Sequence, residues 1–151
     1  MADIRKIIED YLANTKMMQL ATSIDAQPWI CNVWFASDED LNIYWFSSTT
    51  RRHSNEVLKN NKVAAAIVAP QTPQDTPRGL QLQGHAEVLT NDEDVKIARS
   101  VYEGRIFDAA TIDSLIKNKE KPHKFYRIKP TQFVLFDGEN FCDNWRQEYN
   151  L

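Results

Sequence analysis

Short runs of apolar, aromatic and β-branched residues, divided by turn-forming residues, constrain the fold of this chain more than any other feature of its sequence. Three such runs follow one another in the first third of the chain: MMQLATS, WICNVWFAS and LNIYWFSS. The stretches between them, DAQP and DEDLN, are rich in the residues that form turns. The sequence therefore predicts an antiparallel meander of three strands between residues 17 and 48.

Further strands are predicted in the rest of the chain. VAAAIV is apolar throughout and is interpreted as a buried strand, and FYRIKPTQFVLFD forms the last predicted strand region. In GLQLQGHAEVL apolar and polar residues alternate, so the face that carries Gln81, Gln83 and His85 is expected to be wet or to form an interface. Between these strands, three prolines in APQTPQDTPRG predict an exposed loop.

Helices are predicted on either side of these strands. Residues 3–14 repeat apolar side chains along one helix face after Asp3, a predicted N-cap, and a short helix is predicted around residues 54–60. Thr90 and Glu93 have the spacing of a capping box before a third helix, and a fourth helix follows it.

A chain of 151 residues fits one domain and can bury a hydrophobic core without metals or disulfides. We therefore expect a single domain, residues 1–151, of the α+β class. Its fold is predicted to be mainly β with flanking helices packed outside a small closed or partly closed β-barrel.

Charge and composition exclude several classes of function. The 18 Lys and Arg residues against 21 Asp and Glu residues leave no basic excess for nucleic acid. Neither the two cysteines, Cys31 and Cys142, nor the three histidines, His53, His85 and His123, have metal-ligand spacing, so no metal site is predicted. No apolar run approaches the ~20 residues of a membrane span, and a cytoplasmic protein is expected.

The stretch FSSTTRRH, which ends the predicted meander, combines hydroxyl side chains with two arginines just before a predicted helix. A helix N-terminus favours anions, and hydroxyls and guanidinium groups complete a phosphate shell. The four glycines form neither dinucleotide nor P-loop fingerprints. Two interpretations stay open at this point: an anion site, or a capped helix with Arg51 and Arg52 in solvent.

The order of these features resembles the pyridoxamine 5′-phosphate oxidase-like family of FMN-binding split β-barrels, from about residue 17 to about residue 137. The resemblance rests on the LAT strand, the strand with WF, the strand ending in FSS, the basic cluster, NNKVAAAIV and GLQLQGHAEVL. It implies FMN as the cofactor, a small-molecule substrate and a homodimer with flavin sites at the interface.

The resemblance also implies which residues bind the cofactor. The family's basic pair, commonly Arg-Lys, maps onto Arg52 and His53, with Arg51 adjacent, and would grip the FMN phosphate. Ser47 and Ser48 would reach the ribityl chain or the phosphate.

The flavin ring would lie along Asn32, Val33 and Trp34 of the CNVWF strand. Core packing is expected for most of the other aromatic residues of the meander, and neither His85 nor Cys31 is assigned a role.

The function that follows from the resemblance is an FMN-dependent oxidoreductase that orients a small molecule over the flavin for hydride transfer, with no catalytic side chain assigned. The alternatives are a non-catalytic flavin-binding or stress-associated protein, and a split barrel that uses heme or a deazaflavin. Authentic pyridoxamine 5′-phosphate oxidase activity is disfavoured, since that enzyme has Arg-x-His near its C-terminus and this sequence ends CDNWRQEYNL.

Overall fold

The computed structural model describes residues 2–151, and within them the chain forms four helices and seven strands. The helices are α1 Ile4–Ala13, α2 Arg52–Lys59, α3 Asp92–Tyr102 and α4 Ala109–Lys117. The strands are β1 Met17–Ile24, β2 Gln27–Ser37, β3 Ile43–Ser48, β4 Lys62–Ile67, β5 Arg78–Val88, β6 His123–Asp137 and β7 Arg146–Asn150. None of these helices has the length and hydropathy needed to cross a bilayer.

Six strands close into a ring. The order of hydrogen-bonded neighbours is β3-β2-β1-β4-β5-β6, every pairing is antiparallel, and β3 also pairs with β6. β7 lies outside the ring and pairs with β6. This closed sheet with helices packed outside is a split β-barrel, which confirms the predicted fold class.

The hairpin between β1 and β2 fixes a register that matters for the site. Asp25 and Ala26 both have positive φ angles, 50° and 61°, as the tight two-residue turns of hairpins require. Cross-strand pairing then continues from Ile24 opposite Gln27 to Met17 opposite Trp34, and it places Thr22 opposite Trp29.

Alternating residues of the strands fill the barrel. Leu20, Phe35, Ile67 and Phe133 are fully buried there, and each such side chain contributes roughly 1.5–3 kcal/mol by leaving water. A second apolar cluster, centred on Tyr102, packs α3 and α4 against the outer side of β3 and β6. The site-bearing end of β3 is therefore held between two packed layers.

The meander of residues 17–48, the alternation in β5 and the exposed proline loop are confirmed. Asp3 caps α1 by accepting a hydrogen bond from the amide of Lys6, also as predicted.

Several sequence-based predictions were wrong in detail. The N-cap of α3 is Asn91 and not Thr90, because the Asn91 side chain accepts hydrogen bonds from the amides of Glu93 and Asp94. β4 is half-buried rather than buried, since Ala64 faces solvent. α2 starts two residues before the predicted position, and β7 was not predicted at all.

Candidate functional site

A cleft of about 450 Å³ opens where β2, the end of β3, the N-terminus of α2 and the start of β6 meet. Its volume falls within the roughly 300–1,000 Å³ that is usual for small-molecule and cofactor sites. All eight residues predicted to bind a cofactor line this cleft, together with four that were not predicted. The lining residues are Trp29, Cys31, Asn32, Val33, Trp34, Phe46, Ser47, Ser48, Arg51, Arg52, His53 and His123.

The turn from β3 into α2 positions the polar end of the cleft. The Ser48 hydroxyl pairs with the Thr50 hydroxyl at 2.9 Å, and the Ser54 hydroxyl donates to the Ser48 carbonyl at 2.8 Å. Arg51 is the N-cap of α2, and its side chain makes no capping hydrogen bond. The first turn of α2 therefore presents amide groups without a side-chain cap, as an anion-binding helix terminus does.

Arg52 is held in place on the rim of the cleft. Its Nε donates to Glu56 Oε1 at 2.8 Å, one helical turn further on, and its guanidinium carbon lies 4.0 Å from the centre of the Trp29 ring. Glu56 Oε2 in turn accepts a hydrogen bond from the Thr22 hydroxyl. The hydrogen bonds from Thr22 and Arg52 lower the pKa of Glu56 below its usual value, so this buried carboxylate is ionised at neutral pH.

His53 supplies a hydrogen bond rather than a charge. Burial lowers the pKa of His53 below its ordinary value of 6.5, and the nearby charge of Arg51 lowers it further. The neutral ring lies with Nε2 3.0 Å from the Ser47 hydroxyl. The cationic groups lining the polar end of the cleft at neutral pH are therefore Arg51 and Arg52.

Aromatic residues form the apolar side of the cleft. Trp34 is 46% exposed and Trp29 is 41% exposed, whereas Trp45 and Phe35 are fully buried in the barrel. Trp45 stacks on Tyr126 with ring centres 5.0 Å apart. The sequence predicted a cofactor-binding role for Trp34, which lines the cleft, and none for Trp29, which lines it too.

The cleft contains so many residues of β2 because one edge of this strand is open. β2 pairs with β1 over residues 27–34 but with β3 only at residues 35–37. Side chains from both faces of the open segment therefore reach the cleft, including Trp29 and Cys31. An alternation pattern in the sequence cannot reveal an open edge, so these two residues carried no signal of their own.

Cys31 and His123 were not predicted as site residues. Burial, with a smaller effect from the charge of Glu56, raises the pKa of Cys31 to about 11, so its thiol is protonated at neutral pH. The Nδ1 atom of His123 lies 2.9 Å from the Lys121 carbonyl. Because a carbonyl only accepts hydrogen bonds, Nδ1 is the donor in this contact, and Nε2 is the other nitrogen of the ring.

Among residues 2–151, no group of three or more His, Cys, Asp or Glu side chains is arranged to hold a metal ion. The chemistry available in the cleft is therefore that of two guanidinium groups, several hydroxyls, uncapped helix amides and a flat apolar wall. Such a combination suits a planar aromatic ligand with an anionic arm.

Comparisons with known proteins agree with this fold. The family model for pyridoxamine 5′-phosphate oxidase matches residues 4–136. No curated protein sequence matches this chain at a significant level.

Solved structures with the same fold have low sequence identity to this chain. A heme-binding protein from Mycobacterium smegmatis is 18% identical with a TM-score of 0.78, and the alignment covers 99% of this chain and 59% of that one. General Stress Protein 26 from Bacillus anthracis is 14% identical with a TM-score of 0.69, covering 98% of each chain. HutZ, the heme storage protein from Vibrio cholerae, is 18% identical with a TM-score of 0.70, covering 85% of this chain and 91% of that one. At these identities the likeness shows the fold alone.

Proposed function

This chain belongs to the pyridoxamine 5′-phosphate oxidase-like family, and on that premise we propose that its cleft binds FMN. The protein is then an FMN-dependent oxidoreductase acting on a small molecule. The observation that carries the proposal is the meeting of Arg51 and Arg52 with the start of α2 and the tryptophan-lined edge of β2 in one cleft. FMN has the matching shape, a flat ring joined by a polar chain to a phosphate.

Different residues of the cleft bind different parts of the cofactor. Arg51, Arg52 and the first amides of α2 bind the phosphate, since charge-assisted hydrogen bonds are the strongest that such a group can form. Ser47, held by the neutral His53, and Ser48 meet the ribityl chain or the phosphate.

Asn32, Val33 and Trp34 lie along the ring. The open edge of β2 there offers backbone groups as well as side chains, and Trp34 shields one side from water. When bound, FMN supplies the acceptor or donor of the hydride, and the protein supplies binding and orientation.

Arg52→Ala tests whether Arg52 binds the phosphate of FMN. FMN affinity should fall on the order of ten- to a hundredfold, because one charge-assisted hydrogen-bond donor is worth ~1.5–3 kcal/mol. Riboflavin, which has no phosphate, should bind nearly as before. Arg146→Ala, which removes the same charge from exposed β7, is the matched control and should change neither affinity. Titrations followed by flavin fluorescence measure the dissociation constants of both ligands for the wild type and the two variants, and equal losses for both ligands in Arg52→Ala would contradict the proposal.

We further propose a homodimer in which the second copy completes each cleft. Support comes from an outward face of the barrel with a depression of about 350 Å³, lined by alanine, glutamine and larger aliphatic side chains of β1, β2, β4, β5 and β6. Ile30, at the edge of this face, is 60% exposed. Closed two-fold dimers are the commonest way for a small protein to cover such a face.

Ile30→Asp should weaken the dimer and FMN binding together, because a shared site loses half its contacts in a monomer. Sedimentation equilibrium with and without FMN measures the association. A wild-type monomer at micromolar concentration that still binds FMN tightly would contradict the shared site. It would not affect the proposal that Arg51 and Arg52 bind the phosphate.

Heme is a second candidate ligand, and His123 is the observation that favours it. Its Nδ1 donates to the Lys121 carbonyl, which leaves Nε2 as the ring nitrogen that could bind iron in the same cleft, and Arg51 and Arg52 could meet a carboxylate arm as well as a phosphate. Two structural neighbours, from Mycobacterium smegmatis and Vibrio cholerae, carry names that refer to heme.

Hemin titration of the apoprotein, followed by visible absorption, decides between the two ligands. His123→Ala should abolish a hemin complex that depends on this ligand and should leave FMN binding unchanged. The ligand released from the purified protein, identified by mass spectrometry, shows which of the two is taken up during expression.

A further inference from the structure

Arg52 is fixed on two sides before any ligand arrives. Glu56 accepts a hydrogen bond from its Nε at 2.8 Å, and the Trp29 ring supports one face of the guanidinium at 4.0 Å. Of the three nitrogens of the Arg52 side chain, Nε alone has a hydrogen-bond partner among residues 2–151. The two Nη groups therefore stay available for a ligand.

A single cross-strand pair of the β1–β2 hairpin supports both partners of Arg52. Thr22 and Trp29 lie directly opposite each other in the hairpin. Thr22 is almost fully buried and donates to Glu56 Oε2, while Trp29 lies under the guanidinium. α2 supplies Arg52 and Glu56 one turn apart. We name this set, Thr22, Trp29, Arg52 and Glu56, the arginine clamp.

The clamp is poorly explained as a device for folding. The Arg52 side chain is 47% exposed, and half-exposed ion pairs contribute little to stability. Glu56, in contrast, is buried, so its carboxylate loses hydration in order to hold a cation at the surface. This arrangement is understandable if the orientation of Arg52 has its own use.

We infer that Glu56 is a positioning residue, which with Thr22 and Trp29 fixes Arg52 so that its Nη edge meets a two-oxygen anionic group of the ligand. The inference rests on the proposed function and deepens it. A guanidinium forms two parallel hydrogen bonds only in the correct orientation, and a preoriented side chain loses no rotamer freedom on binding. The clamp therefore selects ligands by their anionic arm.

Glu56→Ala and Glu56→Gln separate positioning from simple charge compensation. Gln keeps an oxygen that can accept from Arg52 Nε but removes the negative charge. Positioning predicts that Glu56→Ala weakens FMN roughly two- to tenfold, the cost of immobilising one long side chain on binding. Riboflavin affinity should stay the same, and Glu56→Gln should retain most of the FMN affinity. If Glu56 merely neutralises Arg52, both variants should bind FMN more tightly than the wild type.

Thr22→Val is a second route to the same result and guards against misfolding of the Glu56 variants. It keeps the shape of a buried side chain and removes the hydroxyl that holds Glu56. It should therefore change the ratio of FMN affinity to riboflavin affinity in the same direction as Glu56→Ala does. Melting temperature and near-ultraviolet circular dichroism confirm that each variant is folded.

A readout without ligand comes from nuclear magnetic resonance of the full chain. The Nε–H signal of Arg52, assigned by its loss in Arg52→Lys, should be resolved and slow to exchange in the wild type. It should exchange rapidly in Glu56→Ala.

Any one of three results would overturn the inference and leave the proposed function standing. These are an unchanged Nε–H signal of Arg52 in Glu56→Ala, an unchanged ratio of FMN affinity to riboflavin affinity in Glu56→Ala, and tighter FMN binding by both Glu56 variants. A wild type that binds neither FMN nor riboflavin overturns the proposed function, and the inference with it.

Discussion

Gly84→Ala should be among the most damaging single-methyl additions in the barrel. Gly84 lies in β5 at a register irregularity opposite β6. A Cβ at this position would lie 2.3 Å from the Lys129 carbonyl oxygen and 2.8 Å from the Pro130 Cα. Both atoms belong to the backbone of β6, which pairs with β3, β5 and β7. No side-chain rotation can relieve the contact, so the ladder itself has to shift.

The expected cost follows from this geometry. Overpacking of a well-packed interior costs typically about 1–3 kcal/mol, and a backbone obstacle places Gly84→Ala at or above ~3 kcal/mol. For a chain of this size each kcal/mol lowers the melting temperature by roughly 2–4 °C. We therefore expect a decrease of about 6–12 °C.

Gly79→Ala provides the matched control, because it makes the same substitution in the same strand. The nearest heavy atom to a Cβ at Gly79 is Val68 Cγ2 at 3.9 Å, an ordinary contact. Its effect should stay within ~0.5 kcal/mol. Differential scanning calorimetry and urea unfolding of both variants measure the difference. Equal melting temperatures for the two variants would refute the argument from backbone contact.

Three further predictions concern capping, thiol reactivity and pH. Asn91→Ala should cost about 1 kcal/mol of unfolding free energy and Thr90→Ala almost nothing, as measured by urea unfolding, because Asn91 caps α3. With a pKa of about 11, Cys31 should react with iodoacetamide at pH 8 far more slowly than the exposed Cys142, and mass spectrometry of digested protein should show this order. His53 has a lowered pKa in the folded protein, so the unfolded chain binds its proton first as the pH falls. The stability linked to His53 should therefore be fully present above pH 6.5 and should decline as the pH falls from 6.5 towards the lower pKa of His53 in the folded protein. His53→Gln should flatten this part of the curve of unfolding free energy against pH.

Local patterns were enough to predict most of the fold. Period-two alternation and turn residues identified the meander and β5, because each strand has one face in the barrel and the hairpins are short. β7 escaped notice because RQEYN has no apolar alternation, and it forms where the edge of β6 is available for pairing. Asparagine and threonine both favour the N-cap position, so the local sequence does not decide between Asn91 and Thr90. Which of them caps α3 depends on where the loop from β5 enters the helix.

The candidate site was predictable as far as its residues are neighbours in sequence. FSSTTRRH and CNVWF lie in two continuous stretches, and the structure brings both to one cleft. Trp29 and His123 join them only through the hairpin register and the pairing of β3 with β6, which no local pattern encodes. The role of the whole set in cofactor binding stays a prediction.

The pairing of β3 with β6 also bears on the order in which the molecule folds. It joins residues 75 to 85 positions apart in the chain, from Ser48 with His123 to Ile43 with Ile128. The β1–β2 hairpin closes over a two-residue turn, so its loop-closure entropy is far smaller. We expect the hairpin to form early and the β3–β6 seam late. Because the cleft lies on that seam, a ligand bound there would recognise only chains that have completed folding.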